Sequence, residues 1–371
     1  TLRMHADLIS WSGPPLLTMP NYPAASSFAR KEALYKRAIA FFDRGQAWEY
    51  AIQYSKELVG QYEFVQYDYE QVAEQLSLQA KFHRLCLHEQ RFFSEYFRVG
   101  YYGMGLPLHV RNRAFIYRGF ELERMGEFVQ RIQKRYPNAA LLNYTDPPPP
   151  SLLEAAGQFL QIFTVKPLSK LSKAETSKMP LAIQEYHNYN NINTFLYSKP
   201  FRRRDDDPSA AAAQNEFEDL WIANYTFTSA DSFPTIHRRS EIIATVKSEL
   251  NPLEYAIQQV EQKSLELGKL ISQYQDSKEQ NISPFTMVLS GAIDAAVSGG
   301  TDNFKKAFFT SDYAAKRPDH ADLLKQLKTS LHSQMSLLEV ALSVHGSICP
   351  SNMADLQSHL ESKLASLKNA N

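Results

Sequence analysis

Ten histidines, two cysteines and forty acidic residues are the side chains of this sequence able to ligate a metal, attack an electrophile or move a proton. Their spacing assembles none of these chemistries. His83 and His88 stand five residues apart, one too many for the pair that puts two imidazoles on one helix face. Cys86 and Cys349 form no CxxC and join no Cys/His cluster, which argues against a structural zinc or a disulfide framework and favours a reducing compartment. The carboxylate pairs Glu121/Glu123 and Glu216/Glu218 fall where strand edges or loops are expected, so solvation is their default. There is no GxxxxGK followed by Ser or Thr, no GxGxxG after a strand, and no HExxH, EF-hand loop or GxSxG. Phosphoryl transfer, dinucleotide chemistry and zinc hydrolysis lose their usual carriers, and neither a cofactor nor a metal is expected.

A non-covalent chemistry stays open in "VLSGAIDAAVSGG", residues 288–300. At about 100° per residue, Phe285, Val288, Leu289, Ala292, Ile293 and Ala296 share one helix face, while Val297 falls roughly 110° from the middle of that stripe. Ser298, Gly299 and Gly300 follow; the glycines accept positive φ and expose backbone, so the helix is expected to end there and restart at Thr301. Val297 is apolar but not aimed at the core, and these residues alone favour an ordinary glycine C-cap with Val297 half covered by a neighbouring helix.

The elements that must position this segment are helical. "NPLE" (251–254) places Asn251 at an N-cap, Pro252 at the first helical position and Glu254 where its carboxylate reaches back to the cap amide. Leu253, Ala256, Ile257, Val260, Leu267, Leu270 and Ile271 then line mainly one stripe. A second helix is expected with Ser283 as cap and Pro284 as first residue, and a third near Asp302. A long one should run through Leu323, Leu331, Leu338 and Leu342, and a last through Met353, Leu360 and Leu367, making a bundle. Upstream, Leu34, Ala38, Ile39 and Phe42, then Trp48, Ala51, Ile52 and Leu58 beyond Gly45, predict a helical hairpin, with a longer helix from Tyr69 towards Leu87. The pair is similar to a tetratricopeptide unit, but no repeat of about 34 residues recurs. Aromatic and β-branched residues at period two in 97–120, 157–168, 193–201, 220–229 and 236–247 predict antiparallel strands. "DPPPP" (146–150) and "RRRDDDPSAAAAQNE" (202–216) read as loops, the charge run Arg202–Asp207 as a solvated one. The fold class is α+β, mostly helical: a helical lobe at 1–95, an antiparallel β lobe at 96–247, and a helical-bundle lobe at 248–371 with a loop insert in one helix.

Composition sets outer bounds. At 371 residues, 44% hydrophobic and 12% aromatic, the chain can bury more than one core. Forty basic residues balance the forty acidic ones, so no global field draws it to nucleic acid or to an anionic membrane. No apolar run approaches the roughly 20 residues of a membrane helix, no signal-peptide profile opens the chain, and cytoplasmic residence is expected. The NxS/T matches at Asn143, Asn224 and Asn281 read as chance. The opening "TLRMHADLISWS" reads as the middle of a helix, which suggests a piece of a larger protein with the helical lobe truncated at its N-terminus.

Several longer segments carry a resemblance: "MHADLISWS" (4–12), "LYKRAIAFFDRGQAWEYAI" (34–52), "YFRVGYYGMGLP" (96–107), "FIYRGFELERMGEF" (115–128), "YPNA" (136–139), "GQFLQIFTVKP" (157–167), "NPLEYAI" (251–257) and "SGAIDAAVSGGTDNFKKAFF" (290–309). Over nearly the whole chain they resemble the catalytic exchange region, the DOCKER domain, of the DOCK family of guanine nucleotide exchange factors for Rho-type GTPases. "VGYYGMGLP", "FIYRG" and "FTVKP" look like the Rac-directed branch rather than the Cdc42-directed one.

The resemblance implies a first helical lobe able to mediate homodimerisation, and β and bundle lobes on which the small GTPase docks. It places the nucleotide-sensing insert at Asp294, Ala295, Ala296, Val297, Ser298, Gly299 and Gly300, with Val297 as the sensor, and puts Leu250, Asn251 and Pro252 at the GTPase contact. The family insert usually reads closer to "VDPAVMGG", so Ala295 and Ser298 depart from it while the valine and both glycines are kept. The implied function is GDP release without covalent chemistry. An Elmo-type scaffold and membrane recruitment are implied through other parts of a family member. A non-catalytic helical scaffold or GTPase-binding adaptor is the alternative that the missing catalytic motifs leave open.

Overall fold

The computed structural model describes residues 6–18, 22–176, 178–202, 217–276, 281–293 and 301–369. Ser26 starts α1 (Ser27–Arg44) by accepting the Ala29 N–H on its Oγ at 3.1 Å. A turn through Gly45 and Gln46 leads into α2 (Trp48–Gln61), which runs into a π-helical turn at Tyr62–Gln66. Asp68 then caps α3 (Tyr69–His88) through the Gln71 N–H at 3.1 Å. The stripe expected for the hairpin is the buried one: Leu34, Ala38, Ile39, Trp48, Ala51, Ile52 and Leu58 share a core with Phe82 and Cys86. Cys86 is a free thiol, and burial, with the charge of Glu49, pushes it up to about 12. The opening segment departs from expectation. Ala6 and Asp7 are helical but Leu8–Ser12 are not, because Trp11 is seated against Phe28 and Tyr35, at 5.4 and 5.2 Å between ring centroids, with its Nε1–H on Glu57.

Among the described residues seven strands follow: β1 (Tyr96–Tyr102), β2 (Arg113–Arg118), β3 (Ala140–Leu142), β4 (Phe159–Pro167), β5 (Ile192–Arg202), β6 (Leu220–Phe233) and β7 (Arg239–Leu250). Their order is β1-β2-β7-β6-β5-β4-β3, and a further pairing of β1 with β4 closes six of them into a barrel. Val99 stands opposite Phe115 of β2 and Ile162 of β4, and Ile116 opposite Ser240 of β7, all antiparallel. β3 breaks the antiparallel expectation: it runs parallel to β4, with Leu141 opposite Leu160, because residues 143–158 supply the long crossover a parallel pair requires. That crossover contains a short α5 (Pro150–Glu154), and α4 (Met125–Arg135) precedes β3. Gly103 must be glycine: its φ is +96° and an added Cβ would lie 2.3 Å from the Gly157 carbonyl oxygen. α4 covers this part of the sheet, stacking Phe128 on Phe97 at 4.1 Å.

Glu123 is not the solvated carboxylate expected. It is 7% exposed and accepts two bonds from Arg131, at 2.6 and 2.8 Å, and one from the Phe120 N–H at 2.8 Å. Burial acts to raise its carboxyl, but these donors hold it below the usual carboxylate range. Asn224 of the sequon matches is likewise buried, accepting the Ser198 hydroxyl at 2.6 Å.

The chain divides into two compact units, Thr1–Asn193 with Ser229–Glu241, and Thr194–Thr228 with Ile242–Asn371. The first contains α1–α5, β1–β4, and the short α6 (Lys173–Thr176) and α7 (Leu181–Tyr189). The second contains α8 (Pro252–Asp276), α9 (Ser283–Ile293), α10 (Thr301–Phe308), α11 (Ser311–Lys316), α12 (Ala321–Ile348) and α13 (Ala354–Asn369). Strands β5, β6 and β7 contribute residues to both units.

Candidate functional site

The turn that leads from β7 into α8 forms as its sequence dictates. Asn251 Oδ1 accepts the Glu254 N–H at 2.8 Å, and Glu254 Oε2 accepts the Asn251 N–H at 2.9 Å, a reciprocal capping box with Pro252 opening the helix. Pro252 is buried, while Leu250 and Asn251 are half-buried. Beyond the turn, Leu253, Ala256, Ile257 and Val260 pack with Phe304 and Phe308 of α10, Tyr313 of α11, and Leu327 and Leu331 of α12. Replacing Asn251 by Ala removes the cap acceptor and is expected to cost about 1 kcal/mol, read as a lower denaturation midpoint; an unchanged midpoint would show the cap to be idle.

The helix before "DAAVSGG" is α9. Its start differs from expectation by one step: Ser283 is already helical, and the capping acceptor is Asn281, whose Oδ1 takes the Ser283 N–H at 3.0 Å. An asparagine two residues ahead reaches that N–H without bending the helix, and this leaves Pro284 inside the first turn, where its missing donor costs nothing. The expected apolar face is the buried one. Phe285 and Leu289 are fully buried, as are Ala292 and Ile293 within 3%, in one core with Leu267, Ile271 and Tyr274 of α8, Met335, Leu338 and Leu342 of α12, and Leu360 and Leu364 of α13. Phe285 stacks on Tyr274 at 5.1 Å and meets the His345 ring edge-on at 5.6 Å.

A polar chain crosses this core. Gln357 gives its amide N–H groups to Leu342 O at 3.1 Å and Glu361 Oε1 at 2.6 Å, which leaves its Oε1 to accept from His345 Nδ1 at 2.7 Å. The other ring nitrogen of His345 meets Thr286 Oγ1 at 2.8 Å. Each partner is thereby satisfied without water, which fixes the rotation of α9 against α12 and α13. Further along α9, Lys263 reaches the Gly291 carbonyl at 3.5 Å. Burial pushes this ammonium below its ordinary value, against the pull of Glu266.

The described part of α9 ends at Ile293 and description resumes at Thr301. Asp294, Ala295, Ala296, Val297, Ser298, Gly299 and Gly300 therefore lie outside the described residues, so only Leu250, Asn251 and Pro252 among the expected site residues are placed. His345 and Thr286 escaped the sequence reading, although His345 continues the Leu338 and Leu342 stripe at helical spacing and was findable on that ground. The exposure of β7 was also missed: residues 243–249 are exposed throughout, with Ile243 at 66% and Val246 at 62%, where alternation predicts one covered face. No group of three or more His, Cys, Asp and Glu able to hold a metal ion occurs among the described residues, and no helix there is long and apolar enough to cross a membrane.

A family model described as DHR-2, Lobe B matches residues 145–232, and one described as DHR-2, Lobe C matches residues 270–370. The chain is 35% identical over 362 residues to Dedicator of cytokinesis protein 3 of Mus musculus, covering 97% of the chain and 18% of that protein. It is 33% identical over 371 residues to Dedicator of cytokinesis protein 4 of Homo sapiens, covering 100% of the chain and 19% of the relative. With DOCK-like protein 1 of Saccharomyces cerevisiae it shares 26% identity over 367 residues, 95% of the chain and 18% of that protein. The chain thus spans less than a fifth of the length of these curated relatives.

Proposed function

The chain belongs to the dedicator of cytokinesis (DOCK) family and carries part of its DHR-2 region, and on that premise we propose that it is a guanine nucleotide exchange factor for a Rho-family GTPase, Rac before Cdc42. The observation that carries the reading is α9. Its apolar face is buried up to Ile293, so the chain enters residues 294–300, with Val297 among them, from a helix fixed on three neighbours. In this reading Leu250, Asn251 and Pro252 shape the contact turn, and the exposed Ile243 and Val246 extend the apolar surface offered to the GTPase.

The mechanism needs no titrating group. A small GTPase holds GDP largely through Mg²⁺, which demands near-octahedral oxygen ligands at short distance. A branched hydrocarbon inserted there supplies no oxygen and excludes water that would, so the cation and the diphosphate lose partners together. Because coupling is reciprocal, whatever weakens GDP when the exchange factor binds also weakens the exchange factor when nucleotide returns. GTP with Mg²⁺ then expels the valine and releases the loaded product.

Release of fluorescent mant-GDP from purified Rac and Cdc42 tests this. Addition of the chain should accelerate release from Rac more than from Cdc42. Binding without acceleration, together with preference for the GTP-loaded over the nucleotide-free GTPase, would replace the exchange reading with an adaptor.

A further inference from the structure

The first unit contains a cavity of about 380 Å³ lined by four arginines, Arg44, Arg91, Arg118 and Arg238, with Glu121 as the lining carboxylate. Arg91 is the anchor. Its side chain is 5% exposed, Glu49 holds Nη1 at 2.8 Å with both carboxylate oxygens, and its guanidinium lies 5.5 Å from the Trp48 ring centre and 5.4 Å from that of Tyr186. Its second terminal nitrogen, Nη2, is buried and has no hydrogen-bond partner; the same is true of Arg118 Nε. Arg238 is turned into the same wall. It donates to the Gly119 carbonyl and to Arg118 O, and it holds a left-handed backbone at φ 52°.

These features oppose ordinary folding economy. A buried donor without a partner costs about 1–3 kcal/mol, more when charged. Like charge adds to that cost: burial first, then the positive charges of Arg118 in the lining and of Arg131 outside it, push the Arg238 guanidinium below its ordinary value, against the pull of Glu123. Glu49 is already taken by Arg91, and Glu123 by Arg131. A non-glycine residue held at positive φ is a further local cost of about 1–3 kcal/mol, of a kind that clusters at ligand clamps.

We propose that this cavity is an anion site that takes the phosphate group of a small molecule or lipid headgroup, received among the guanidinium groups of Arg44, Arg91, Arg118 and Arg238 that line it. Planar guanidinium forks match phosphate oxygens two at a time, and four of them suit a dianion better than a single carboxylate. The volume lies near the lower end of the roughly 300–1,000 Å³ typical of small-molecule sites. Phe92, 53% exposed at the wall, offers a face to the organic remainder. Nothing in this assignment depends on the exchange reading, whose residues lie in the second unit.

Isothermal titration calorimetry on the chain alone tests it, at constant ionic strength, with inorganic phosphate and a soluble sugar phosphate against a chloride blank. Saturable heats are expected. Arg118→Gln should weaken binding about tenfold or more, as expected for loss of a charged donor. Arg44 is exposed, so Arg44→Gln tests the site without disturbing the fold should the first variant fail to fold. Cosedimentation with phosphatidylcholine vesicles, with and without phosphatidylinositol phosphate, separates the two sources: arginine-dependent capture only by phosphorylated vesicles assigns a lipid headgroup, and arginine-dependent binding of the soluble ester assigns a free phosphate. Heats no larger than those of chloride with no vesicle capture, or binding indifferent to both substitutions, would overturn the proposal.

Discussion

Val297→Ala is expected to slow GTPase-bound GDP release by about 5- to 150-fold, the range spanned by ordinary coupling free energies, without shifting thermal unfolding of the chain. The two halves of that result follow from different terms. Removing two methyl groups deletes the hydrocarbon that would stand where Mg²⁺ needs oxygen, so the differential contact between the GDP-bound and empty GTPase is lost. Stability should not follow in the proposed reading, because a projecting side chain adds nothing to the core that Phe285, Leu289, Ile293 and their neighbours form. Stopped-flow mant-GDP release and a melting curve on the same preparation give both readings. Undiminished exchange by the variant would remove Val297 from the mechanism, and the reciprocity argument adds a second check: the variant should discriminate less between nucleotide-free and GDP-loaded GTPase.

The helical parts of the molecule were legible because their physics is local. Asn251, Pro252 and Glu254 sit within one turn, so the capping box could be written from three letters, and the stripe from Phe285 to Ile293 needs only the 3.6-residue period. The α1–α2 hairpin was readable for the same reason. The misses lie where tertiary contacts overrule local pattern. Leu8–Ser12 carry a helical pattern but leave the helix because the large ring of Trp11 gains more against Phe28 and Tyr35. β3 is three residues long and its parallel pairing depends on a crossover that no periodicity announces. Glu123 looks like a loop carboxylate until Arg131, eight residues later on α4, folds back over it. For the candidate site, the supporting helix could be read from its own period, whereas the role of the valine rested on family resemblance. Its angle to the stripe is compatible with a plain C-cap as well as with a projecting side chain.

Phe285→Ala should produce the other large effect and the opposite signature. The ring is fully buried between Tyr274 and His345, and truncating such a phenylalanine costs about 3–5 kcal/mol through lost transfer energy and the cavity left behind. The loss concentrates on α9. Helical stability comes mostly from packing of the apolar face, so α9 depends on this contact to keep its axis. Denaturant titration should show the midpoint falling. Exchange should fall with it, because a side chain carried on a frayed mount spends less time where the GTPase needs it. Phe285→Leu retains most of the buried hydrocarbon and should recover most of both quantities. The pairing separates support from action: Val297→Ala lowers exchange at full stability, Phe285→Ala lowers the two together. A Phe285→Ala variant that lost stability yet exchanged at the parental rate under folding conditions would show that the segment after Ile293 acts without a rigid helix behind it, and the mechanical part of the proposal would fail.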